Sequence, residues 1–511
     1  MKIFRTLCNG IILWMEGLLN IIFGNRSNPL YHLGSLTFYF FWVVLVSGIY
    51  IFIFFDTSVT GAYSSVAYMT NDQWWLAGVM RSVHRYASDA AVVTIFLHLF
   101  REFGRDRYRG VRWFSWFTGV PTLWLVVMLG ITGYWLVWDM LAQYVAIATA
   151  EMSDWLPVIP SAMIFNFLPG QVTDRFFTLM AFLHLLGLPV ALVFLLWTHV
   201  SRISKVDFMP PRDLTIGTTV ALLILSLVKP AVSHAPANLS QSPLVLNLDW
   251  FYLNIYPVVD RLGPGWAWGL SLGTTLLLLL LPWLPPRREA PPASVMVEHC
   301  TGCGGCARDC PFGAATMRPR TDGRDKQFES TVDPSLCTAC GICVGSCSAS
   351  NPFRLAGEAL KVGIHMPGLS LDLLRQKTDQ AMAGLSGKGR LMVFGCDHGV
   401  TPTVHDVSRI GVVRLPCTGM LPPSFLDYVL KKGADGVMVT GCRQGDCYHR
   451  LGDFLTEERI AGNREPRLVK RTDRGRIRFF WEAEGKGRAL DAQLEAFHKE
   501  LVARDKDVDH A

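Results

Sequence analysis

The chain has 511 residues, 50% of them hydrophobic, and a net charge of only +6. Its mean hydropathy of +0.28 is unusual for a soluble protein of this size, so a membrane portion is expected. The mild charge and the lack of a basic stripe with interleaved aromatic residues argue against nucleic-acid binding. Every cysteine except Cys8 follows residue 286, which divides the chain into an apolar half and a cysteine-rich half.

The first 30 residues contain an apolar run, residues 9–23, that Glu16 interrupts. No small-residue cleavage site follows this run, so it does not read as a secretory signal. We expect residues 1–30 to form an amphipathic helix on the membrane surface.

Six longer apolar runs follow, most of them near the ~20 residues that cross the hydrocarbon core of a bilayer. They cover residues 36–55, 79–100, 114–138, 176–200, 214–230 and 266–284. The fold class predicted for residues 31–286 is therefore an integral membrane, all-α helical bundle of about six transmembrane helices.

Charged residues in the loops between these runs predict the orientation. The loops after the second and fourth runs are basic: Arg101, Arg105, Arg107, Arg109, Arg112, Arg202, Lys205 and Arg212. The other loops carry acids: Asp56, Asp72, Glu151, Asp154 and Asp174. Basic loops stay in the cytoplasm. We expect a multi-pass protein of the inner (cytoplasmic) membrane, with everything after residue 286 on the cytoplasmic side, where thiols stay reduced.

Four histidines lie inside the runs, His84 with His98 on the second and His184 with His199 on the fourth. Histidine within a span is costly unless it has a role. Separations of 14 and 15 residues keep each pair on one helix face, about 21 to 22 Å apart along the axis. Because the second and fourth runs are parallel, His84 should meet His184 and His98 should meet His199, an arrangement that holds two haems. The alternative is four buried histidines bonded to neighbouring side chains.

Other residues near these histidines could complete haem sites. Four glycines recur at a 14-residue spacing in the first and third runs: Gly34, Gly48, Gly119 and Gly133. They would let a flat macrocycle approach the backbone, or they could be helix-packing glycines. Three arginines flank the histidines: Arg81, Arg85 and Arg101. They could pair with haem propionates or mark the membrane interface.

Three segments carry a resemblance to a known family: MRSVHRYASD at 80–89, GITGYWLVWD at 130–139 and FLHLLGLPVALVFLLWTHVSR at 182–202. They resemble cytochrome b of the quinol-oxidising bc and bf complexes, over about residues 31–285. The resemblance implies that the four histidines ligate two b haems, that the protein works on quinone or quinol, and that it forms a homodimer. His32 stands where bf-type proteins have a cysteine for a further haem, so that haem is not expected.

The segment LDWFYL at 248–253 resembles a degenerate form of the family's Pro-Glu-Trp-Tyr loop. In that reading Asp249 takes a proton from quinol as a general base. The alternative is an ordinary loop acid. The resemblance also places the third-run motif at the border of the outer quinone site.

A linker, residues 287–294, leads to two cysteine runs with the spacing C-x2-C-x2-C-x3-C, typical of two-cluster ferredoxins. We predict a ferredoxin-type α+β domain over residues 295–355. One 4Fe-4S cluster is assigned to Cys300, Cys303, Cys306 and Cys347. The other is assigned to Cys337, Cys340, Cys343 and Cys310. A zinc site is the alternative.

The last region, residues 388–500, is predicted to be a small α/β domain. Strands are expected at 390–395, 412–416 and 436–441, with a helix at 423–432. A cysteine follows each strand closely, so four thiols could gather at one edge of a parallel sheet around a metal centre: Cys396, Cys417, Cys442 and Cys447. Buried structural cysteines are the alternative.

The segment KKGADGVMVTGCRQGDCYHRLGD at 431–453 resembles the delta subunit of methyl-viologen-reducing hydrogenase. The resemblance implies a 2Fe-2S cluster and docking on a flavoprotein, the large subunit of heterodisulfide reductase. Met420 stands where that family usually has an arginine. Four further histidines are expected at the surface or beside these centres: His365, His398, His405 and His449.

Together these features predict a membrane electron-transfer subunit of a quinone-dependent oxidoreductase, whose own substrate is at most quinone. Two rivals remain. One is a bc-type quinol-oxidising enzyme working with Rieske or cytochrome subunits. The other is a non-catalytic membrane anchor for a soluble redox complex.

Overall fold

The computed structural model describes residues 2–157, 164–167, 172–241, 245–285, 290–324, 326–350, 362–403, 406 and 408–509. The chain forms two compact units, one of Met1–Ser201 with Val206–Pro286 and one of Arg202–Lys205 with Arg287–Ala511. Part of the expected linker, the last residues of the expected ferredoxin domain (351–355) and His405 lie outside the described residues.

The first unit is all-helical in the part of the chain that is described. Its helices are α1 Lys2–Phe23, α2 Leu33–Phe54, α3 Ala62–Asn71, α4 Val79–Gly104, α5 Trp113–Val137, α6 Met140–Asp154, α7 Asp174–Phe182, α8 Leu188–Val200, α9 Arg212–Val228, α10 Tyr256–Leu262 and α11 Pro264–Leu280. A π-helical turn, Leu183–Gly187, joins α7 to α8. Each of the six predicted runs is helical.

By length and composition, five of the described helices could cross a membrane: Ile3–Phe23, Pro29–Phe54, Gly110–Val137, Asp174–Val200 and Pro264–Trp283. This is a multi-pass membrane region. The predicted runs at α4 and α9 fall outside that set. α4 is 26 residues long but carries several charged side chains, and α9 has only 17 residues. α1 is one of the five helices that are long and apolar enough to cross a membrane, and its location on the membrane surface stays a prediction.

α6 was not predicted from the sequence. The residue before it, Asp139, is its N-cap: the Asp139 side chain accepts a hydrogen bond from the backbone N–H of Ala142 at 2.9 Å. Its alanines are buried against the neighbouring helices, so packing rather than length stabilises it.

The second unit begins with a ferredoxin-type α+β region. Two antiparallel pairs, β1 Ser294–Val295 with β4 Ile364–His365 and β2 Ala315–Pro319 with β3 Phe328–Val332, surround two short helices. These helices are α12 Gly305–Asp309 and α13 Ile342–Gly345. The β1–β4 pair joins residues 294–295 to residues 364–365, and the predicted domain boundary at residue 355 stays a prediction.

The remainder is a four-stranded parallel sheet in the order β6-β5-β7-β8, which confirms the predicted α/β class. Its strands are β5 Leu391–Cys396, β6 Ile410–Leu415, β7 Gly436–Gly441 and β8 Ile477–Trp481. Its helices are α14 Leu371–Ala383, α15 Ser424–Lys431, α16 Gly452–Ala461 and α17 Gly487–Asp509. The two central strands are buried along their whole length, as expected for a parallel sheet covered on both faces.

Candidate functional site

The structure brings His84 of α4 and His184 of the π-helical turn together. Their ring centroids are 6.3 Å apart. Two imidazoles on opposite sides of one metal, with metal–nitrogen bonds of about 2.0 Å, would have centroids about 6 Å apart. This pair therefore fits a bis-histidine haem. His98 of α4 and His199 of α8 form the second pair, and they are close enough for a charge on one ring to repel a charge on the other.

Hydrogen bonds to Nδ1 orient three of the four rings. The Nδ1 atom of His84 is 2.9 Å from the Val44 carbonyl and 3.2 Å from the Ser47 hydroxyl. The Thr132 hydroxyl is 3.2 Å from Nδ1 of His184, and the Thr118 hydroxyl is 3.3 Å from Nδ1 of His199. A histidine fixed in this way presents Nε2 to a metal.

Each of the four predicted glycines faces one of the four histidines. A Cβ atom built on the glycine would approach the imidazole Cε1 to 2.9 Å for Gly48 and His84, 2.9 Å for Gly133 and His184, 3.2 Å for Gly119 and His199, and 3.9 Å for Gly34 and His98. Three of these distances are too short for most real side chains, so the glycines make room for the rings.

Sequence reasoning missed the hydroxyl residues that contact these rings. Ser47, Thr118 and Thr132 each immediately precede one of the glycines. A Ser-Gly or Thr-Gly dipeptide, repeated three times across two apolar runs, was the available signal.

The three arginines near the histidines have protein partners. Arg101 Nε donates to Glu16 at 3.0 Å, and Arg81 donates to the Ser233 hydroxyl at 2.8 Å. Arg85 pairs with Asp89 at 3.1 Å. Their role toward haem propionates stays a prediction.

Asp249 is buried in a polar cluster of the first unit. Its carboxylate accepts a hydrogen bond from the Tyr134 hydroxyl of the third-run motif. It also forms an ion pair with Arg85, with a nitrogen–oxygen distance of 3.0 Å. The backbone N–H of Phe251 donates to it at 2.8 Å. The structure therefore brings segment 248–253 into contact with segment 130–139, and the quinone site expected at these two segments stays a prediction.

The eight ferredoxin cysteines line two separate cavities. One cavity is lined by Cys300, Cys303, Cys306 and Cys347. The other is lined by Cys310, Cys337, Cys340 and Cys343. We call these the first and second cubane sets. The fourth cysteine of each run thus lies with the first three of the other run, as the sequence assignment has it.

Burial acts on two thiols of the second cubane set. It raises the pKa of Cys340 to about 12 and that of Cys343 well above its usual value, so a metal that binds these two thiols must displace their protons. In the described ranges, no group of three or more His, Cys, Asp or Glu side chains is arranged as the ligands of a bound metal ion would be. The fit therefore rests on which thiols share a cavity.

The last four cysteines, here called the four-thiol set, converge at the carboxyl edge of the parallel sheet. The sulfurs of Cys396 and Cys442 are 4.0 Å apart, close to the roughly 3.8 Å between two thiolates on one tetrahedral metal. Hydrogen bonds from Cys417 and Cys442 hold the pKa of Cys396 well below its usual value. All four are buried. A metal centre fits this donor set.

Backbone N–H groups point at these sulfurs, as they do in iron-sulfur sites. His398 donates to Cys396 at 3.4 Å, Tyr448 to Cys442 at 3.5 Å and Gly452 to Cys447 at 3.3 Å. The His398 ring stacks on Tyr448 with centroids 3.6 Å apart. His449 is buried and follows Cys447 by two residues, whereas His365 lies in β4, where its ring is 3.1 Å from the Ser294 hydroxyl.

Three family models match the chain in the predicted order. They are cytochrome b/b6/petB over residues 20–207, the 4Fe-4S dicluster domain over 299–351, and the delta subunit of methyl-viologen-reducing hydrogenase over 394–503.

Among relatives, cytochrome b6 of Oltmannsiellopsis viridis is 31% identical over 188 residues, which cover 36% of this chain and 86% of the relative. The cytochrome b subunit of menaquinol:cytochrome c reductase of Geobacillus thermodenitrificans is 29% identical over 198 residues, with the same coverage. A chain of a solved structure, a hyperthermophilic respiratory complex III, aligns with a TM-score of 0.41 at 19% identity, covering 51% of this chain and 76% of that one.

Proposed function

Because the chain belongs to the cytochrome b family and continues into a 4Fe-4S dicluster domain and a hydrogenase delta-subunit domain, we propose that it is the membrane electron-transfer subunit of a quinone-linked oxidoreductase. Electrons pass between membrane quinone or quinol and a soluble partner. That partner is a cytoplasmic flavoprotein resembling the large subunit of heterodisulfide reductase. The iron-sulfur domains face the cytoplasm, and the subunit works as a homodimer.

Haem b and 4Fe-4S clusters follow from the first two domains. We assign one haem to His84 and His184 and the other to His98 and His199. The two cubane sets hold the 4Fe-4S clusters, and the four-thiol set holds a 2Fe-2S cluster. When bound, these groups supply reversible one-electron transfer.

The single observation that carries the proposal is the 6.3 Å between the rings of His84 and His184. These residues lie 100 positions apart, on different helices, and meet at the separation that bis-histidine ligation needs. The protein's own part is to orient the rings through Nδ1 and to clear space with glycine, which leaves Nε2 for the iron.

An anaerobic redox titration of the purified full chain in detergent tests the function. Visible spectra report the haems and EPR spectra report the clusters, before and after a menaquinol analogue is added. We expect two b-type haems to be reduced by the quinol, with cluster signals following. Haems that ignore quinol while the clusters respond to a soluble reductant would leave only the membrane-anchor function.

A matched pair of variants sharpens this titration. His184→Gln should lose one haem and slow reduction of the other by quinol. His234→Gln is the control, because His234 is a loop histidine outside both pairs, and its backbone N–H, which the substitution keeps, donates to Asp139.

The contact between Asp249 and Tyr134 favours a second candidate, a bc-type enzyme that oxidises quinol at this cluster. Such an enzyme needs a Rieske protein as the high-potential acceptor. Co-purification of a Rieske subunit in place of a flavoprotein would support this candidate over the first.

A further inference from the structure

The second unit buries one cubane set directly against the four-thiol set. Cys340 shares a buried apolar cluster with Cys417 and Cys447, which Ile342 and Leu455 complete. Cys340 belongs to the second cubane set, and the other two cysteines belong to the four-thiol set. Cys306 and Cys347, the buried members of the first cubane set, lie in a different cluster that includes no cysteine of the four-thiol set.

Glycines allow this close approach of the two backbones. α13 follows Cys340 and packs on the turn Thr418–Met420 that follows Cys417. A Cβ atom on Gly419 would lie 2.8 Å from Cγ1 of Ile342, and one on Gly345 would collide with the carbonyl oxygen of Gly419. Only residues without side chains permit this short distance between α13 and the turn Thr418–Met420.

Met420 belongs to the same contact. Its side chain is fully buried, and a Cβ atom on Gly341 would lie 2.7 Å from its Cγ. Gly341 lies between Cys340 and Cys343, with a positive φ of 76°. The methionine thus packs on the loop that carries the second cubane set.

A buried ion pair fixes the contact. Arg459 of α16 donates to the Gly419 carbonyl at 2.7 Å, to the Asp309 carboxylate at 2.9 Å and to the Ser346 hydroxyl at 2.5 Å. Both side chains of the ion pair are fully buried. A buried pair of this kind tolerates no loss of a partner, so it holds the two segments in one arrangement.

We propose that the second cubane set, Cys310, Cys337, Cys340 and Cys343, is the direct electron-exchange partner of the four-thiol set, and that Arg459 is the positioning residue for this exchange. The step moves one electron between the two sets, and no bond forms or breaks. This inference rests on the proposed function, which places redox centres in both sets. The first cubane set then lies one step further from the four-thiol set.

EPR power saturation on the full-length holoprotein tests the order. A nearby paramagnetic cluster speeds the spin relaxation of the four-thiol centre, and the effect falls steeply with distance. We expect this enhancement in the fully reduced protein, its retention in Cys303→Ser, and a several-fold loss in Cys343→Ser. Enhancement that survives Cys343→Ser, or that is lost only in Cys303→Ser, would overturn the order.

A second pair of variants leaves every cysteine in place. Arg459→Lys should reduce the enhancement several-fold at unchanged iron content, because the three partners bond two different nitrogens of the planar guanidinium and lysine has only one nitrogen. Arg467→Lys is the control, since Arg467 is exposed and pairs only with Glu465 at 3.1 Å among the contacts described. Equal enhancement in the two variants would refute the role of Arg459. If the wild-type protein shows no EPR signal from the four-thiol set, the proposed function itself is contradicted.

Discussion

The histidines of the two pairs depend on the residues that face them from the neighbouring helix. The 14-residue spacing of the glycines was visible in the sequence, and their role in leaving space was anticipated. Which ring each glycine faces was not, because that depends on how α2 packs on α4 and how α5 packs on α8. The hydroxyl partners of the Nδ1 atoms were missed for the same reason.

Gly48→Val tests this packing. The added side chain would start 2.9 Å from Cε1 of His84, so the ring must leave its position. We expect about half of the bound haem to be lost, measured as the haem-to-protein ratio by pyridine haemochromogen assay. Gly217→Val is the control, because nothing lies within 4 Å of a Cβ atom there. Full haem content in Gly48→Val would contradict the packing argument.

Asp249→Asn tests the outer quinol site. If Asp249 accepts the quinol proton, the rate of quinol-driven haem reduction should fall by about 10²-fold or more. Asp260→Asn is a matched control, because Asp260 also accepts a hydrogen bond from a tyrosine, Tyr144. Stopped-flow spectra at the haem α-band give the rates. Equal rates in the two variants would make Asp249 an ordinary loop acid.

At the scale of elements, the six apolar runs are all helical, and four of them lie in described helices that are long and apolar enough to cross a membrane. Shorter elements escaped. α6 has only 15 residues. β8 and α17 come after a polar stretch, and neither element was predicted from the sequence. Tertiary packing stabilises such elements, and a single sequence does not display it.

Glu16 illustrates how an element can be held by one buried contact. Its side chain is fully buried, and it bonds Arg101 at 3.0 Å and Arg105 at 3.1 Å, which ties α1 to the end of α4. Glu16→Gln removes the negative charge that pairs with both arginines, so we expect the free energy of unfolding to fall by about 3 to 5 kcal/mol. Thermal unfolding in detergent measures this loss of stability. The exposed Glu151→Gln should unfold as the wild type does, and a similar midpoint for both variants would contradict this role.

At the scale of the whole molecule, the sequence revealed all three domains, but not the contact between the cofactor-binding loops of the two domains in the second unit. The cysteine spacing predicted which thiols share each cavity, because it is typical of two-cluster ferredoxins, in which the fourth cysteine of each run belongs with the other run. The approach of Cys340 to Cys417 is accompanied by a hydrogen bond between residues 150 positions apart, Asp309 and Arg459, which we propose to hold it in place. No local pattern announces it.

Metal analysis distinguishes a 2Fe-2S cluster from zinc in the four-thiol set. We expect Cys417→Ser to lose about two non-haem iron atoms per chain, because a thiolate ligand to the cluster is gone. Cys8→Ser is the control, since Cys8 is a lone buried thiol of the first unit. Loss of about one zinc and no iron would instead identify a zinc site.

The π-helical turn at Leu183–Gly187 determines how many residues can separate His184 from His199. It contains His184 and takes up one extra residue, so a 15-residue separation from His199 keeps both rings on the face that α5 meets. A single-codon deletion in this turn would restore a regular α-helix and a 14-residue separation like that of His84 and His98. The π-helical turn therefore lets the number of residues between the two histidines change by one while both rings stay on the same face.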